Sequence, residues 1–167
     1  MELFRLLGIE PGVTAVIGSG GKTSLLARLS RELPGTVLLT TTTHIRPFAG
    51  VPLLTGADDD NLRRVLARDR MLCLSTRAEN GKLTAPAVPI ARLAALADFV
   101  LVEADGSRGL PIKAHAPHEP VIPPESRQTV CVVGASGFGR PIAQTVHRPE
   151  RFCALTGAKP ENVVSPA

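Results

Sequence analysis

The sequence predicts a three-layer α/β fold with a mostly parallel sheet. Short apolar runs recur along the chain and alternate with segments whose apolar residues have helical spacing. Strands that are apolar along their whole length are typical of a parallel sheet that helices cover on both faces. A glycine-rich turn also joins the first apolar run to the first long helical segment, which is the layout of a strand-turn-helix unit.

The first elements follow from apolar spacing and from the residues that end helices. Residues 2–8 are predicted to form a short helix and residues 13–17 the first strand. A helix follows over residues 21–33, and Pro34-Gly35 ends it, since these residue types are common just past a helix C-terminus.

The middle of the chain repeats this alternation. Asp58-Asp59-Asp60 supplies an N-cap and first-turn acids for a helix that runs to about residue 69. A strand is predicted on each side of that helix, and the Asn80-Gly81 pair favours a turn or hairpin after the second one. The predicted ranges are 36–41 and 71–75 for the strands and 78–87 for the turn or hairpin.

The last part of the chain contains two further strands and two helices. The proline-rich stretch between them predicts an ordered loop with little regular structure. The predicted ranges are a helix over 90–97, a strand over 99–103, the loop over 111–124, a buried strand over 129–134 and a helix over 149–155. Residues 159–167 follow this helix without a further strand, which would fit a chain shortened at its C-terminus.

Composition favours a single folded domain over residues 1–167. Hydrophobic residues make up 44% of the 167 residues, which argues against a disordered chain. The net charge of +4 is spread along the sequence, Trp and Tyr are absent and Phe occurs five times. A basic block and a base-stacking surface are therefore both missing, and we expect no nucleic-acid partner.

The cysteines and the hydropathy favour a cytoplasmic protein without a membrane partner. Cys73, Cys131 and Cys153 are widely spaced, which is typical of a reducing compartment. The apolar segment over residues 91–102 contains Arg92 and Asp98, so it is too short to span a bilayer.

The glycine-rich turn is typical of a phosphate-binding P-loop, and it predicts a P-loop NTPase-like fold. Its sequence is Gly18-Ser19-Gly20-Gly21-Lys22-Thr23-Ser24. Glycines allow backbone amides to surround an anion, and the helix N-terminus adds about half a positive charge. Lys22 is placed to reach the β- and γ-phosphates, and the Thr23 hydroxyl to bind Mg²⁺. Val16 occupies the position of the usual first glycine, so the motif is the shorter G-x-x-G-K-T form of Mur-type peptide ligases.

An acidic strand end gives the second signal. Phe99-Val100-Leu101-Val102-Glu103 has the pattern of a Walker B strand, and Asp105 follows two residues later. The carboxyl ends of parallel strands meet at one edge, so these acids should lie beside the glycine-rich turn. Either acid would hold Mg²⁺ or polarise a water molecule. The pattern leaves open which acid would bind Mg²⁺ and which would polarise the water molecule.

Polar residues after two strands complete the predicted site. Thr42 and His44 follow the second strand, and we expect them near the γ-phosphate or the substrate, although threonine is also simply common in strands. Arg108 and Lys113 follow the acidic pair and would supply positive charge to a transferring phosphoryl group or an anionic substrate.

Two other patterns give weaker signals. His115 and His118 are separated by Pro117 and lack the spacing of a zinc-binding helix, so a transition-metal site is not favoured. The glycines of residues 134–139 follow a strand but do not fit the dinucleotide-binding spacing. They predict a tight turn that lines the pocket at most.

Taken together, four segments resemble the YqeC family, which comprises accessory proteins of selenium-dependent molybdenum hydroxylases. The segments are G-S-G-G-K-T-S, T-T-T-H, V-E-A-D-G-S-R-G-L-P-I-K-A and P-H-E-P-V-I-P. The resemblance extends from about residue 8 to 157 and implies a P-loop nucleotide-binding fold. It places Gly18 to Ser24 on phosphate, and Glu103, Asp105 and the Thr41–His44 segment near the nucleotide. The chain has no N-K-x-D segment that would read guanine, which leaves the base open.

These observations predict a protein that binds ATP or GTP with Mg²⁺, with ATP favoured, and hydrolyses it during maturation of a molybdenum hydroxylase. One alternative is an ATP-dependent ligase or kinase that acts on a small anionic substrate. Another is a non-catalytic carrier or chaperone that uses nucleotide only as a structural switch. The predicted catalytic residues are Lys22, Glu103, Asp105 and Arg108; the metal ligands are Thr23, Glu103 and Asp105; the nucleotide-binding residues are Gly18, Ser19, Gly20, Gly21, Lys22, Thr23, Ser24, Thr42 and His44.

Overall fold

The computed structural model describes residues 2–56, 58–78 and 81–165 of the chain. Six α-helices are found there: α1 (Leu3–Leu6), α2 (Lys22–Glu32), α3 (Asp59–Asp69), α4 (Ile90–Ala94), α5 (Ile142–Thr145) and α6 (Pro149–Thr156). The strands are β1 (Gly12–Gly18), β2 (Val37–Thr41), β3 (His44–Ile45), β4 (Leu53–Leu54), β5 (Met71–Leu74), β6 (Thr76–Arg77), β7 (Leu83–Thr84), β8 (Phe99–Glu103), β9 (Ile112–Lys113), β10 (Ser126–Val132) and β11 (Val146–His147).

A six-stranded parallel sheet forms the centre of the fold. Its strand order is β10-β1-β8-β2-β5-β4, and every pairing within it is parallel. Strand β1 thus lies between β10 and β8, so the turn that follows β1 emerges beside the end of β8. Two small sheets complete the strands: β3-β7-β6 is antiparallel, and β9 pairs with β11 in parallel.

Helices cover the two faces of the central sheet. Leu26 and Leu29 of α2 form one buried cluster with strand residues such as Leu101. Leu62 of α3 and Val100 belong to a second cluster. Consecutive residues of a strand point to opposite faces, so the two clusters lie on opposite sides of the sheet. The predicted α/β fold, with three layers and a mostly parallel sheet, is therefore confirmed.

The last strand of the sheet differs from its prediction. A buried strand was expected over residues 129–134, whereas β10 spans Ser126–Val132 and contains no fully buried residue. Its residues alternate between partly buried and exposed, and Arg127, Thr129 and Cys131 are exposed. Within the described residues β10 pairs with β1 alone. The apolar run 130–133 therefore belongs to an edge strand, and burial on both faces was the wrong interpretation.

Other elements agree with the predictions apart from their ends. Helix α4 ends at Ala94 rather than near residue 97. The antiparallel pair β6 and β7 confirms a hairpin in the 78–87 region, although Asn80 of the predicted Asn-Gly turn lies outside the described residues. The proline-rich loop contains only the two-residue strand β9 and a cis Glu119–Pro120 peptide bond.

A small C-terminal cluster packs beside the main sheet. Ile112, Ile142, Val146 and Val164 are buried together there. Backbone hydrogen bonds join residues 139–143 to residues 160–164, so the described part of the predicted unfinished tail returns along α5. Among the described residues, none of the helices has the length and apolar character needed to cross a membrane.

Candidate functional site

The glycine-rich turn lies at the carboxyl end of β1, in the middle of the central sheet. Gly18, Gly20 and Gly21 have φ values of 88°, 80° and 140°, a region that side chains other than glycine rarely adopt. Helix α2 begins directly afterwards at Lys22. The local sequence therefore builds a compact βα turn with backbone amides at a helix N-terminus.

A second glycine-containing turn, at residues 134–139, packs against the glycine-rich turn. A Cβ atom at Gly20 would lie 2.4 Å from the Gly134 Cα atom, and one at Gly134 would lie 2.8 Å from Pro111 Cβ. The Gly134 amide donates a 2.8 Å hydrogen bond to the Pro111 carbonyl. The turn at residues 134–139 thus packs against the glycine-rich turn, and its residues are not part of the lining of the cleft described below. Its sequence signal was the set of glycines at residues 134–139 that follow a strand.

Lys22 is buried under the turn and is surrounded by oxygen atoms. Its side chain is 4% exposed. Its ammonium donates a 2.6 Å hydrogen bond to the Gly18 carbonyl and lies 3.0 Å from Asp105 Oδ1 and 3.8 Å from Glu103 Oε1. The structure therefore brings Lys22 and both predicted acids into one cluster.

Glu103 ends β8 and faces the start of α2. Thr23 Oγ1 donates to Glu103 Oε2 at 3.4 Å, a long hydrogen bond. Burial raises the pKa of Glu103 to about 7, although the charge of Lys22 opposes that rise. The Glu103 carboxylate and the Thr23 hydroxyl together offer the hard oxygen ligands that a cation such as Mg²⁺ prefers.

Asp105 has different surroundings, although it lies two residues away. Its side chain is fully buried, and Oδ2 accepts a 2.9 Å hydrogen bond from the Gly18 amide. Lys113 Nζ and His115 Nε2 lie 3.2 and 2.7 Å from the same oxygen. Burial by itself would raise the pKa of Asp105, but the Gly18 amide and Lys22 outweigh it and lower the pKa. Oδ2 is therefore contacted by three protein groups, whereas Oδ1 has the Lys22 ammonium 3.0 Å away and no hydrogen-bond partner among the described residues.

A chain of charges continues from Asp105 to the C-terminal part of the fold. Lys113 Nζ lies 2.9 Å from Glu119 Oε2, and Arg148 Nη1 lies 2.8 Å from the same oxygen. Burial favours a higher pKa for Glu119, but hydrogen bonds from Arg148 and Lys113 overcome this and lower it to about 2. Sequence reasoning missed Glu119 and Arg148: Glu119 lies in the P-H-E-P-V-I-P segment but received no role there, and Arg148 belongs to no motif.

The threonines after β2 have mixed positions. Thr41 Oγ1 donates to the Glu103 carbonyl at 2.8 Å and ties the ends of β2 and β8 together. Thr42 Oγ1 donates instead to the Val121 carbonyl at 2.7 Å. His44 is exposed and lines the cleft described next.

An open cleft of about 1660 Å³ lies over the glycine-rich turn. Eight of the predicted site residues line it: Gly20, Gly21, Lys22, Thr23, Ser24, His44, Glu103 and Arg108. Four others lie outside its lining: Gly18, Ser19, Thr42 and Asp105. Ser19 is buried, and its hydroxyl has no hydrogen-bond partner among the described residues.

Further elements extend the cleft beyond the glycine-rich turn. They include Ile45 and Arg46 at β3 and the hairpin residue Lys82. They also include the turn at residues 106–110 and residues 146–150, which contain β11 and the start of α6. The site therefore has room for more than one phosphate group. Sequence analysis did not indicate residues 146–150, since no motif surrounds them.

The two histidines of residues 115–118 have been considered as metal ligands because of their H-x-x-H spacing. His115 pairs with Asp105, as described above. In residues 2–56, 58–78 and 81–165, no group of three or more His, Cys, Asp or Glu side chains is placed to hold a metal ion. A cation that prefers oxygen would find one hydroxyl and one carboxylate, at Thr23 and Glu103, which suits Mg²⁺ if phosphate and water complete its shell.

The chain matches one known family. The model of the family described as "YqeC protein" matches residues 14–150. A curated relative, "Uncharacterized protein YqeC" of Escherichia coli (strain K12), is 37% identical over 162 residues. The match covers 91% of this chain and 63% of that relative, so the chain spans less than two thirds of the relative's length. No solved structure matches the chain significantly.

Proposed function

The chain belongs to the YqeC protein family, and from this premise we propose that it binds a nucleoside triphosphate with Mg²⁺ and hydrolyses it. ATP is the favoured nucleotide. The proposed role is that of an accessory protein in the maturation of a molybdenum hydroxylase, including selenium-dependent ones. This role rests on the family resemblance.

One observation carries the proposal: the glycine-rich turn, Lys22 and the Thr23–Glu103 pair meet at the carboxyl edge of a parallel sheet. Thr23 and Glu103 come from different strand-helix units and are 3.4 Å apart. Lys22 lies within 4 Å of the carboxylates of Glu103 and Asp105. Ligands of open α/β sheets bind at this edge, and helix N-termini with glycine turns favour phosphate.

Each residue has a proposed task in that site. The amides of the turn and the N-terminus of α2 would hold the phosphates, and Lys22 would stabilise negative charge on the β,γ-bridge. Thr23 and Glu103 would hold Mg²⁺, which supplies charge neutralisation to the phosphate oxygens. Asp105 would position the turn through Gly18 and Lys22 rather than bind the metal, since four protein groups already contact it.

The remaining predicted residues stay predictions. Arg108 lines the cleft and is exposed, which leaves it available to contact a phosphoryl group or an anion. Thr42 is the least supported member of the predicted set, because its hydroxyl is bonded to Val121 and it lies outside the cleft lining.

The size of the cleft supports a second candidate function, acceptor-dependent phosphoryl transfer or ligation. The cleft continues from the glycine-rich turn to residues 146–150. A simple hydrolase needs space for nucleotide and water alone, whereas a kinase or ligase needs an adjoining site for a second substrate. ADP formation that requires an added acceptor would favour this candidate over hydrolysis.

Isothermal titration with ATP·Mg²⁺ and GTP·Mg²⁺ tests nucleotide binding. We expect the wild type to bind at least one of them, and Lys22→Gln to weaken binding by about 100-fold, because it removes a charge-assisted contact to phosphate. Lys159→Gln is the control, since Lys159 is exposed and does not line the cleft. Equal affinities in wild type and Lys22→Gln would overturn the proposal.

Turnover separates the enzymatic function from a nucleotide switch. Release of inorganic phosphate should depend on Mg²⁺ and fall in Glu103→Gln. Tight nucleotide binding with negligible turnover, with and without acceptors, would instead identify the non-catalytic carrier or chaperone.

A further inference from the structure

The cleft contains a group of basic residues outside the glycine-rich turn. Arg108 comes from the turn after β8, and His147 and Arg148 come from β11 and the residue after it. All three line the cleft. They lie outside the turn that precedes α2: Arg108 follows β8 in the chain, and His147 and Arg148 follow β10.

The charge of this group is only partly balanced. Glu119 is shared by Arg148 and Lys113. Arg108 is exposed and forms no ion pair within the part of the chain that the structure describes. Burial lowers the pKa of His147, and the positive charges of Arg148, Lys113 and Arg108 lower it further. Arg108 therefore carries the charge of this group that no carboxylate of the described residues balances.

The start of α6 adds to the same positive potential. Arg148 is the N-cap residue, with a φ of 66°, and its guanidinium cannot accept a hydrogen bond from the first amides of the helix. Those amides carry about half a positive charge at the helix N-terminus. Pro149 and Glu150 line the cleft, so this helix end opens into it, and Glu150 offsets part of the charge.

We propose that Arg108, His147 and Arg148 form a second anion subsite of the cleft, which takes the phosphate group of a small phosphorylated second substrate. Two guanidinium groups and a helix N-terminus suit a dianion better than a single carboxylate. This inference rests on the proposed function, because it assigns the second substrate of the same cleft.

Inorganic phosphate is the probe that tests the subsite. The full chain is first saturated with the non-hydrolysable analogue AMP-PNP and Mg²⁺, which occupies the glycine-rich turn. Isothermal titration with phosphate should then show one remaining site. Arg108→Gln should weaken it by about tenfold, since each charge-assisted hydrogen bond contributes roughly that factor.

Two further variants sharpen the test. Glu150→Gln should tighten phosphate binding, because it removes the acid beside the helix N-terminus. Arg64→Gln, on the exposed side of α3, is the matched control and should change nothing. Absence of phosphate binding to the nucleotide-saturated protein, or equal affinity in Arg108→Gln, would overturn the subsite.

A failure of the proposed function has a different signature. If AMP-PNP does not bind, phosphate is titrated into Lys22→Gln without nucleotide. A site that persists in Lys22→Gln and is lost in the Lys22→Gln/Arg108→Gln double variant supports the subsite even then. A thermal melt of each variant checks that it is folded. Loss of all phosphate binding in a folded Lys22→Gln protein would contradict the inference.

Discussion

At the scale of single residues, the two acids after β8 have separate tasks. Asp105 is fully buried and contacts three basic side chains and one backbone amide. Glu103 contacts Thr23 and lies farther from Lys22. The sequence left the two acids equivalent because they are two residues apart. Their difference depends on Lys113 and His115, which reach Asp105 from the following loop.

Replacing Asp105 should destabilise the protein strongly. Asp105→Asn removes the carboxylate that Lys22, Lys113 and His115 share, and breaking a buried ion pair in this way costs about 3–5 kcal/mol. Urea denaturation measures the free energy of unfolding. Asp60→Asn is the control. The Asp60 carboxylate is 85% exposed in a surface pair with Arg63, so we expect this variant to lose about 0.5 kcal/mol of stability or less. A loss in Asp105→Asn no larger than in the control would refute the positioning role.

Glu103 should make the metal-free protein less stable as the pH rises. Its folded pKa of about 7 is above its ordinary value of 4.5, so the folded state binds more protons between these pH values. The contribution of Glu103 to the free energy of unfolding is greatest below about pH 4.5. Roughly 3 kcal/mol of this stabilisation is lost as the pH rises through 7.

The difference between wild type and Glu103→Gln isolates this contribution. The lowered pKa of His147 makes the protein more stable as the pH rises, which is the opposite effect in a neighbouring pH range. His147 is present in both proteins, so its effect cancels when their free energies of unfolding are subtracted. We expect Glu103→Gln to become progressively more stable than wild type from pH 5 to pH 8 in EDTA, as measured by urea denaturation. A constant difference across that range would contradict a raised pKa.

At the scale of elements, the glycine-rich turn depends on its neighbour. Gly134 approaches Gly20 and Pro111 so closely that a methyl group has no space, although the φ of Gly134 is −75° and suits any residue. The need for glycine there is therefore steric and comes from packing between two turns.

Gly134→Ala should displace the glycine-rich turn and weaken nucleotide binding by about tenfold, because the added Cβ would lie 2.9 Å from Gly20 Cα. Titration with ATP·Mg²⁺ is the measurement. Gly56→Ala is the matched control, since a Cβ there meets nothing within 4 Å. Unchanged affinity in Gly134→Ala would show that the turn tolerates the shift.

At the scale of the whole molecule, the C-terminal segment supports one wall of the cleft. Val164 is buried with Ile142 and Val146, and residues 160–164 form backbone hydrogen bonds with residues 139–143. The central sheet has its own two clusters and does not share these contacts.

Truncation after Gly157 should therefore loosen the wall and leave the sheet intact. Hydrogen exchange should become at least about tenfold faster at amides in residues 139–147, while the amides of β2 and β8 keep their protection. The untruncated chain of residues 1–167 is the reference. Equal loss of protection in β2 and β8 would show that the segment stabilises the whole fold instead.

The sequence by itself determined the fold class, most of the central strands and the residues that meet at the glycine-rich turn. Apolar runs and glycine turns are local signals, and the carboxyl ends of parallel strands converge wherever those strands pair. Helix α3 and strand β8 could be predicted almost to the residue, because an Asp N-cap and a continuous apolar run mark their ends.

Only the tertiary structure decided the exposure of β10, the separate surroundings of Glu103 and Asp105, and the contribution of Arg148 to the cleft. Strand order places β10 at the edge, and nothing in an apolar run distinguishes an edge strand from a central one. Arg148 reaches Glu119 across 29 residues of chain. Contacts of that kind arise from packing between elements, and their energy depends on burial and on charges that no local pattern contains.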